Sequence, residues 1–211
     1  WWKEFQGYVE SKPAQGERRM ENNHGSWYDA DWLSISLFNG DSASAKAAAE
    51  EAQHRRIALQ ITPNGSEWIE LESNVPSGYC QYNLMALTTV ADLAASAGAV
   101  DVWGFETDAG ASLRQSIDWL LPYALGQKPW PYPTGGLSFF ECEFPECPLI
   151  DMFEVLRRAS VAYNSTDYES AACKMMHAAG RASEYVSDPL NLMLPPKFNV
   201  SCGGPTGLKS D

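Results

Sequence analysis

The chain has 211 residues, 45% apolar and 12% aromatic, enough to bury a real core in one domain, or at most two. Its net charge of −12, from 27 acidic against 15 basic residues, argues against nucleic acid or an anionic membrane as partner, because both attract a positive surface. No apolar run reaches the roughly 18 to 20 residues that a bilayer-spanning helix needs, so no membrane segment is expected.

Trp1, Trp2, Phe5 and Tyr8 recur at helical spacing, so residues 1–11 read as the end of a helix whose aromatics face a core. The chain opens on Trp1 without a methionine or a basic-apolar leader, as expected if a signal peptide has been removed or the front of a longer protein is absent. Lys12 to Glu21 is a polar connection broken by Pro13 and Gly16. A helix is predicted from about Trp27 to Phe38, stopped by Asn39-Gly40. Asp41 or Ser42 caps the next, an alanine-rich helix from Ala43 to about Ile61, with Glu50, Glu51, Arg55 and Arg56 on its solvated side. The short gap between the two makes an antiparallel helical hairpin.

Thr62 to Gly78 reads as a loop, and Tyr79 to about Ala97 as a helix with Leu84, Leu87, Val90, Ala91 and Ala94 on its apolar face. Further helices are predicted over Ala109–Tyr123, Pro148–Ala162 and Tyr168–Tyr185, separated by a Pro- and aromatic-rich loop over Lys128–Gly136. Strand signals are almost absent, and no strict repeat marks a solenoid. Residues 197–211 read as an extended or flexible tail behind a single helical domain, 1–196.

Five cysteines, no C-x2-C pair and only three histidines make a zinc site unexpected, and no metal or cofactor is assigned. Cys142 and Cys147 could close a small loop; the odd count leaves one thiol free or paired outside this chain. Acceptor sequons at Asn64, Asn164 and Asn199, with this cysteine usage, point to a secreted glycoprotein.

The chemistry concentrates in Asn22-Asn23-His24-Gly25-Ser26-Trp27-Tyr28-Asp29, which packs two carboxamides, an imidazole, a phenol and a carboxylate around one glycine. Such groups can hold an anionic sugar and move a proton. The same letters also suit a capped helix start with core aromatics. Gly25 allows either a sharp turn or the close approach of another group.

Read with Ser11, Gly16 and Glu17 before it, Arg56-Ile57-Ala58-Leu59-Gln60-Ile61, the loop Asn64-Gly65-Ser66 through Glu70-Leu71, and Tyr79-Cys80-Gln81-Tyr82-Asn83-Leu84, this stretch resembles the alginate-lyase domain family of polysaccharide lyases. The resemblance runs over roughly residues 1–196. It implies an all-α fold, an incomplete (α/α) toroid of antiparallel helical hairpins with long aromatic-rich loops, whose front half would lie outside this chain. It implies β-elimination on an acidic polysaccharide, a 1,4-linked polyuronate such as alginate or glucuronan. Asn23 and His24 would neutralise the sugar carboxylate, so that the C5 proton becomes removable. Tyr79 would take that proton and return one to the departing oxygen; a tyrosine titrates at about 10 in water, so the site must favour its phenolate. The reverse assignment, His24 as base and Tyr79 as acid, stays open. Asn22, Trp27, Tyr28, Tyr82 and Trp68 are the candidate substrate contacts.

This sequence departs from the family in three places. No arginine lies in Glu72–Gly78, where the family supplies one to the carboxylate; Arg18, Arg19, Arg55 and Arg56 are possible substitutes that read as solvated surface. Asn64 replaces an aspartate, and Asp31 a glutamine. These changes point to a uronate other than mannuronate, glucuronan for instance, or to a non-catalytic carbohydrate-binding or degenerate lyase-like protein that stacks sugars on Trp68, Trp103, Trp130 and Tyr132. The net charge repels a polyanion, so any such site must rely on local potential. A glycoside hydrolase would instead need two facing carboxylates, from among Glu67, Glu70, Glu72, Asp29 and Asp31.

Overall fold

The computed structural model describes residues 1–12, 14–132 and 151–178. The expectations for Cys142, Cys147, Cys202, Asn199 and the 197–211 tail lie outside the described residues. The described chain is helical: α1 (Trp2–Val9), α2 (Gln15–Arg19), α3 (Asn23–Asn39), α4 (Ser42–Glu51), a π-helical turn (Ala52–Ile57) continuing into α5 (Ala58–Gln60), α6 (Trp68–Leu71), α7 (Pro76–Ser96), α8 (Leu113–Ala124), α9 (Asp151–Ala162) and α10 (Thr166–Ala178). Two isolated bridges, Ile61 with Glu67 and Glu106 with Ser112, are the extended pairings among these residues. The architecture is an all-α toroid of paired helices.

Helix α7 is central, with Leu84, Leu87, Val90, Ala91 and Ala94 fully buried as their spacing predicts. It packs against α3 on one side and α9 on another, and α3 also packs against α4. Ala45, Ala48, Ala49 and Ala52 are buried along α4 and its extension, small enough to let neighbouring backbones come close. The turn between α3 and α4 is a Schellman motif. Gly40 takes φ 73°, and the Asp41 amide donates to the Ser36 carbonyl at 2.8 Å. Asp41 then caps α4 by accepting from the Ser44 amide at 3.1 Å.

Several expectations are corrected. The first aromatics do not face a core: Trp1, Trp2, Phe5 and Tyr8 are exposed, while Gln6 and Val9 supply the buried side of α1. The polar connection contains the short helix α2, and the loop after Ile61 contains α6. Helix α7 begins earlier than Tyr79 because Pro76 suits a first helical turn, whose N–H would be unbonded anyway. The alanine-rich helix is not regular to Ile61. The π turn rotates its C-terminal residues relative to the α phase, and Arg56, expected in solvent, is completely buried. Of the cysteines, Cys80 carries a free, buried thiol and Cys173 is disulfide-bonded.

Candidate active site

The Asn-Asn-His-Gly stretch is the first turn of α3 and not a segment ahead of it. Asn22 is the N-cap, its side-chain oxygen accepting from the His24 amide at 3.2 Å. Gly25 is required by close approach: a Cβ there would lie 2.2 Å from the Met20 carbonyl oxygen and 2.6 Å from the Arg56 Nη1. The guanidinium that fills this space donates to the carbonyls of Met20 and Arg18, each at 2.8 Å, and to both oxygens of Asp29 at 2.8 and 3.1 Å. One buried arginine thus ties the α2–α3 connection to the body of α3. Burial pushes the Asp29 carboxyl up to about 6, against the opposing pull of Arg56. The aspartate of the eight-residue stretch is a scaffold group.

A second buried network stands behind Asn23. Glu70 accepts from the Asn23 backbone N–H at 2.5 Å and from its Nδ2 at 3.0 and 3.2 Å. Gln60 donates to the Asn22 carbonyl at 3.3 Å and accepts from Ser26 at 3.2 Å and Asn83 at 2.9 Å. Asn83 also donates to Glu67 at 2.6 Å, and Ser116 reaches Glu67 from α8 at 3.2 Å. Burial raises both Glu67 and Glu70 above the usual carboxylate range, and the nearby Glu70 charge raises Glu67 further. Gly65 lets this loop pack down, with φ 92° and space for no Cβ against the Gln115 carbonyl.

In front of this scaffold lies a cavity of about 750 Å³. Asn23, His24 and Tyr79, far apart in the chain, all line it, together with Trp27, Tyr28 and Tyr82. Asn23 is almost fully buried; His24 is exposed, and Tyr79 is half-buried in the first turns of α7. The Nδ1 of His24 lies 2.7 Å from a Glu17 carboxylate oxygen, and Glu17 also lines the cavity. With Nδ1–H committed to that carboxylate, Nε2 is the uncommitted ring nitrogen. Trp27 and Tyr82 have ring centroids 5.0 Å apart. The Tyr28 hydroxyl is engaged with structure, donating to the Val9 carbonyl at 2.7 Å.

The remaining candidates are placed elsewhere. Asn22 and Trp68 do not line the cavity, and the Trp68 indole donates to the Leu59 carbonyl at 2.8 Å. Trp103 is buried, bonded to Asp92 at 3.1 Å and packed edge-on against Tyr163. Trp130 and Tyr132 join a four-ring cluster with Trp119 and Tyr123. Among the described residues no arginine lines the cavity: Arg18 and Arg55 pair with Glu51 at 3.0 and 2.9 Å, and Arg56 is consumed by Asp29. Asp29, Glu67 and Glu70 are buried away from the cavity, so the carboxylates that face it are Glu17 and Asp31. Burial raises Asp31. Asn64 and Asn164 are exposed. Phe5, Tyr8, Glu17 and Asp31 also line the cavity without having been expected there; of these, Glu17 had a signal in the lead-in to the Asn-His stretch, and Asp31 in standing where the resemblance leads one to expect a glutamine.

Residues 1–130 match the model of a family described as alginate lyase. Among solved structures, an alginate lyase from Bacteroides ovatus is 26% identical with a TM-score of 0.73, over 86% of this chain and 47% of that one. The chain therefore spans about half the length of that protein. None of the curated proteins matches it.

Proposed function

Because the chain belongs to the alginate lyase family, we propose that it serves a polysaccharide lyase reaction, cleaving a 1,4-linked polyuronate by β-elimination. What supports this reading above all is that a carboxamide, an imidazole and a phenol from two separate helices line one open cavity. In the reaction a base removes the C5 proton, a C4–C5 double bond forms, the C4–O4 bond breaks, and O4 leaves with a proton. The carbanion formed at C5 is tolerable only if its charge spreads into the sugar carboxyl group and is met there by hydrogen bonds.

Asn23 and His24 are the groups available to that carboxyl, His24 donating through Nε2 only as the imidazolium, with a proton on each ring nitrogen. Tyr79 is the group that takes the C5 proton and returns one to O4. His24 as base with Tyr79 as acid is the competing assignment. The Glu17 contact is compatible with both, since it fixes the ring in the orientation either role needs.

The test is formation of the unsaturated uronate, followed by absorbance near about 235 nm, with alginate blocks and glucuronan as substrates. Tyr79→Phe is expected to abolish product while thermal stability stays within a few degrees. Unchanged turnover would remove Tyr79 from the mechanism. The departures from the family, among them Asp31 at the cavity where the resemblance leads one to expect a glutamine, make glucuronan a candidate substrate beside alginate.

Glu17 and Asp31 facing a cavity without a lining arginine among the described residues also favour a second reading, a non-catalytic carbohydrate-binding protein. Binding of a polyuronate without product would establish it. The exposed sequons at Asn64 and Asn164 support a secreted glycoprotein. A mass decrease on endoglycosidase treatment of the native protein checks that.

A further inference from the structure

Glu70 is buried, carries no arginine or lysine contact among the described residues, and spends its carboxylate there on one residue. All three hydrogen bonds it accepts come from Asn23: the backbone N–H at 2.5 Å and Nδ2 at 3.0 and 3.2 Å. An asparagine side chain has two orientations that differ by exchange of its oxygen and nitrogen, and its hydrogen-bond partners decide between them. A carboxylate accepts only, so Glu70 admits the orientation with Nδ2 inward and excludes the other. The same carboxylate holds the backbone at the first helical residue of α3, adding negative charge where the helix N-terminus favours it. Main chain and side chain of Asn23 are thereby fixed by one group on α6, which does not itself line the cavity.

We propose that Glu70 is a positioning residue, which holds the Asn23 carboxamide with Nδ2 toward the protein and leaves Oδ1 to accept from the acid form of the sugar carboxyl group. It touches neither substrate nor reacting atoms and acts through Asn23 alone. Glu67, buried beside it and held by Asn83 and Ser116, keeps α6 in register with α7 and α8. The proposal rests on the reading of this cavity as a lyase site.

A double-mutant cycle on product formation tests it, using Glu70→Gln, Asn23→Ala and the pair. Glu70→Gln keeps the shape but substitutes an NH2 for one acceptor oxygen, so kcat should fall at least about tenfold. In the Asn23→Ala background the same change should cost much less, because the carboxamide is gone and only the bond from the backbone N–H remains. Equal losses in both backgrounds would overturn the proposal and reduce Glu70 to a general structural role.

The side-chain amide resonances of Asn23 give a readout independent of turnover. They should move in Glu70→Gln. Resonances unmoved in that variant would overturn the proposal even in an active enzyme. If the wild type forms no product on any polyuronate, the lyase reading fails. The amide resonances then still decide whether Glu70 sets Asn23.

Discussion

At the scale of single residues, the cavity is backed by buried polar groups that do not line it. Gly25 illustrates the constraint: the Arg56 guanidinium and the Met20 carbonyl occupy the place of a side chain. Gly25→Ala must displace one of them, and a loss of about 2 to 4 kcal/mol is expected, read from chemical denaturation. Asp29 gives a prediction in pH. Its folded value, raised to about 6, lies above an ordinary aspartate's, so the native protein takes up this proton before the unfolded chain does. The group's contribution therefore favours folding below about pH 4 and is lost as pH rises through about 6. Relative to Asp29→Asn, which takes up no proton, the wild type should gain melting temperature as pH is lowered across that window. A constant difference between the two would show that the carboxyl does not titrate there.

At the scale of elements, two features decide what reaches the cavity. The first is the N-terminus of α3, where the Asn22 cap fixes the turn that carries Asn23 and His24. Asn22→Ala removes a cap, at a cost of about 1 kcal/mol in thermal denaturation. Because Glu70 still holds Asn23 from the other side, turnover should fall less than in Glu70→Gln. The second feature is the π turn after α4, which brings Arg56 beneath α3. A regular 3.6-residue period places Arg55 and Arg56 together on a solvated face. Insertion of the wider turn separates them, so Arg55 stays at the surface with Glu51 while Arg56 is buried with Asp29. That insertion has no cue in residue spacing, which is why the arginine was misplaced from sequence. The exposed aromatics of α1 were misplaced for a related reason: helical spacing identifies a shared face but not what covers it.

At the scale of the whole molecule, charge is the dominant constraint. With a net charge of −12, and with Glu17 and Asp31 at the cavity, the protein repels the polymer it is proposed to cleave. Raising ionic strength from about 20 to 200 mM screens this repulsion, so KM for a polyuronate should fall over that range. A protein that attracts its substrate by global charge would show the opposite trend. The measurement is steady-state kinetics at fixed pH over a salt series. A rising KM would mean that the local potential at the cavity outweighs the overall field.

The sequence alone determined the helical class, the apolar face of α7 and the caps between α3 and α4, because these follow from local periodicity and turn chemistry. It also singled out Asn23, His24 and Tyr79, through ordered motifs and not through any contact that could be read between them. Tertiary structure decided the rest. Glu70 reaches Asn23 across 47 positions, Arg56 takes the space that Gly25 leaves, and Glu17 meets His24 in front of the cavity. Such pairings carry no periodic signal. They arise only when separate helices converge and buried polar groups must find partners, since leaving them without one costs more than any local preference supplies.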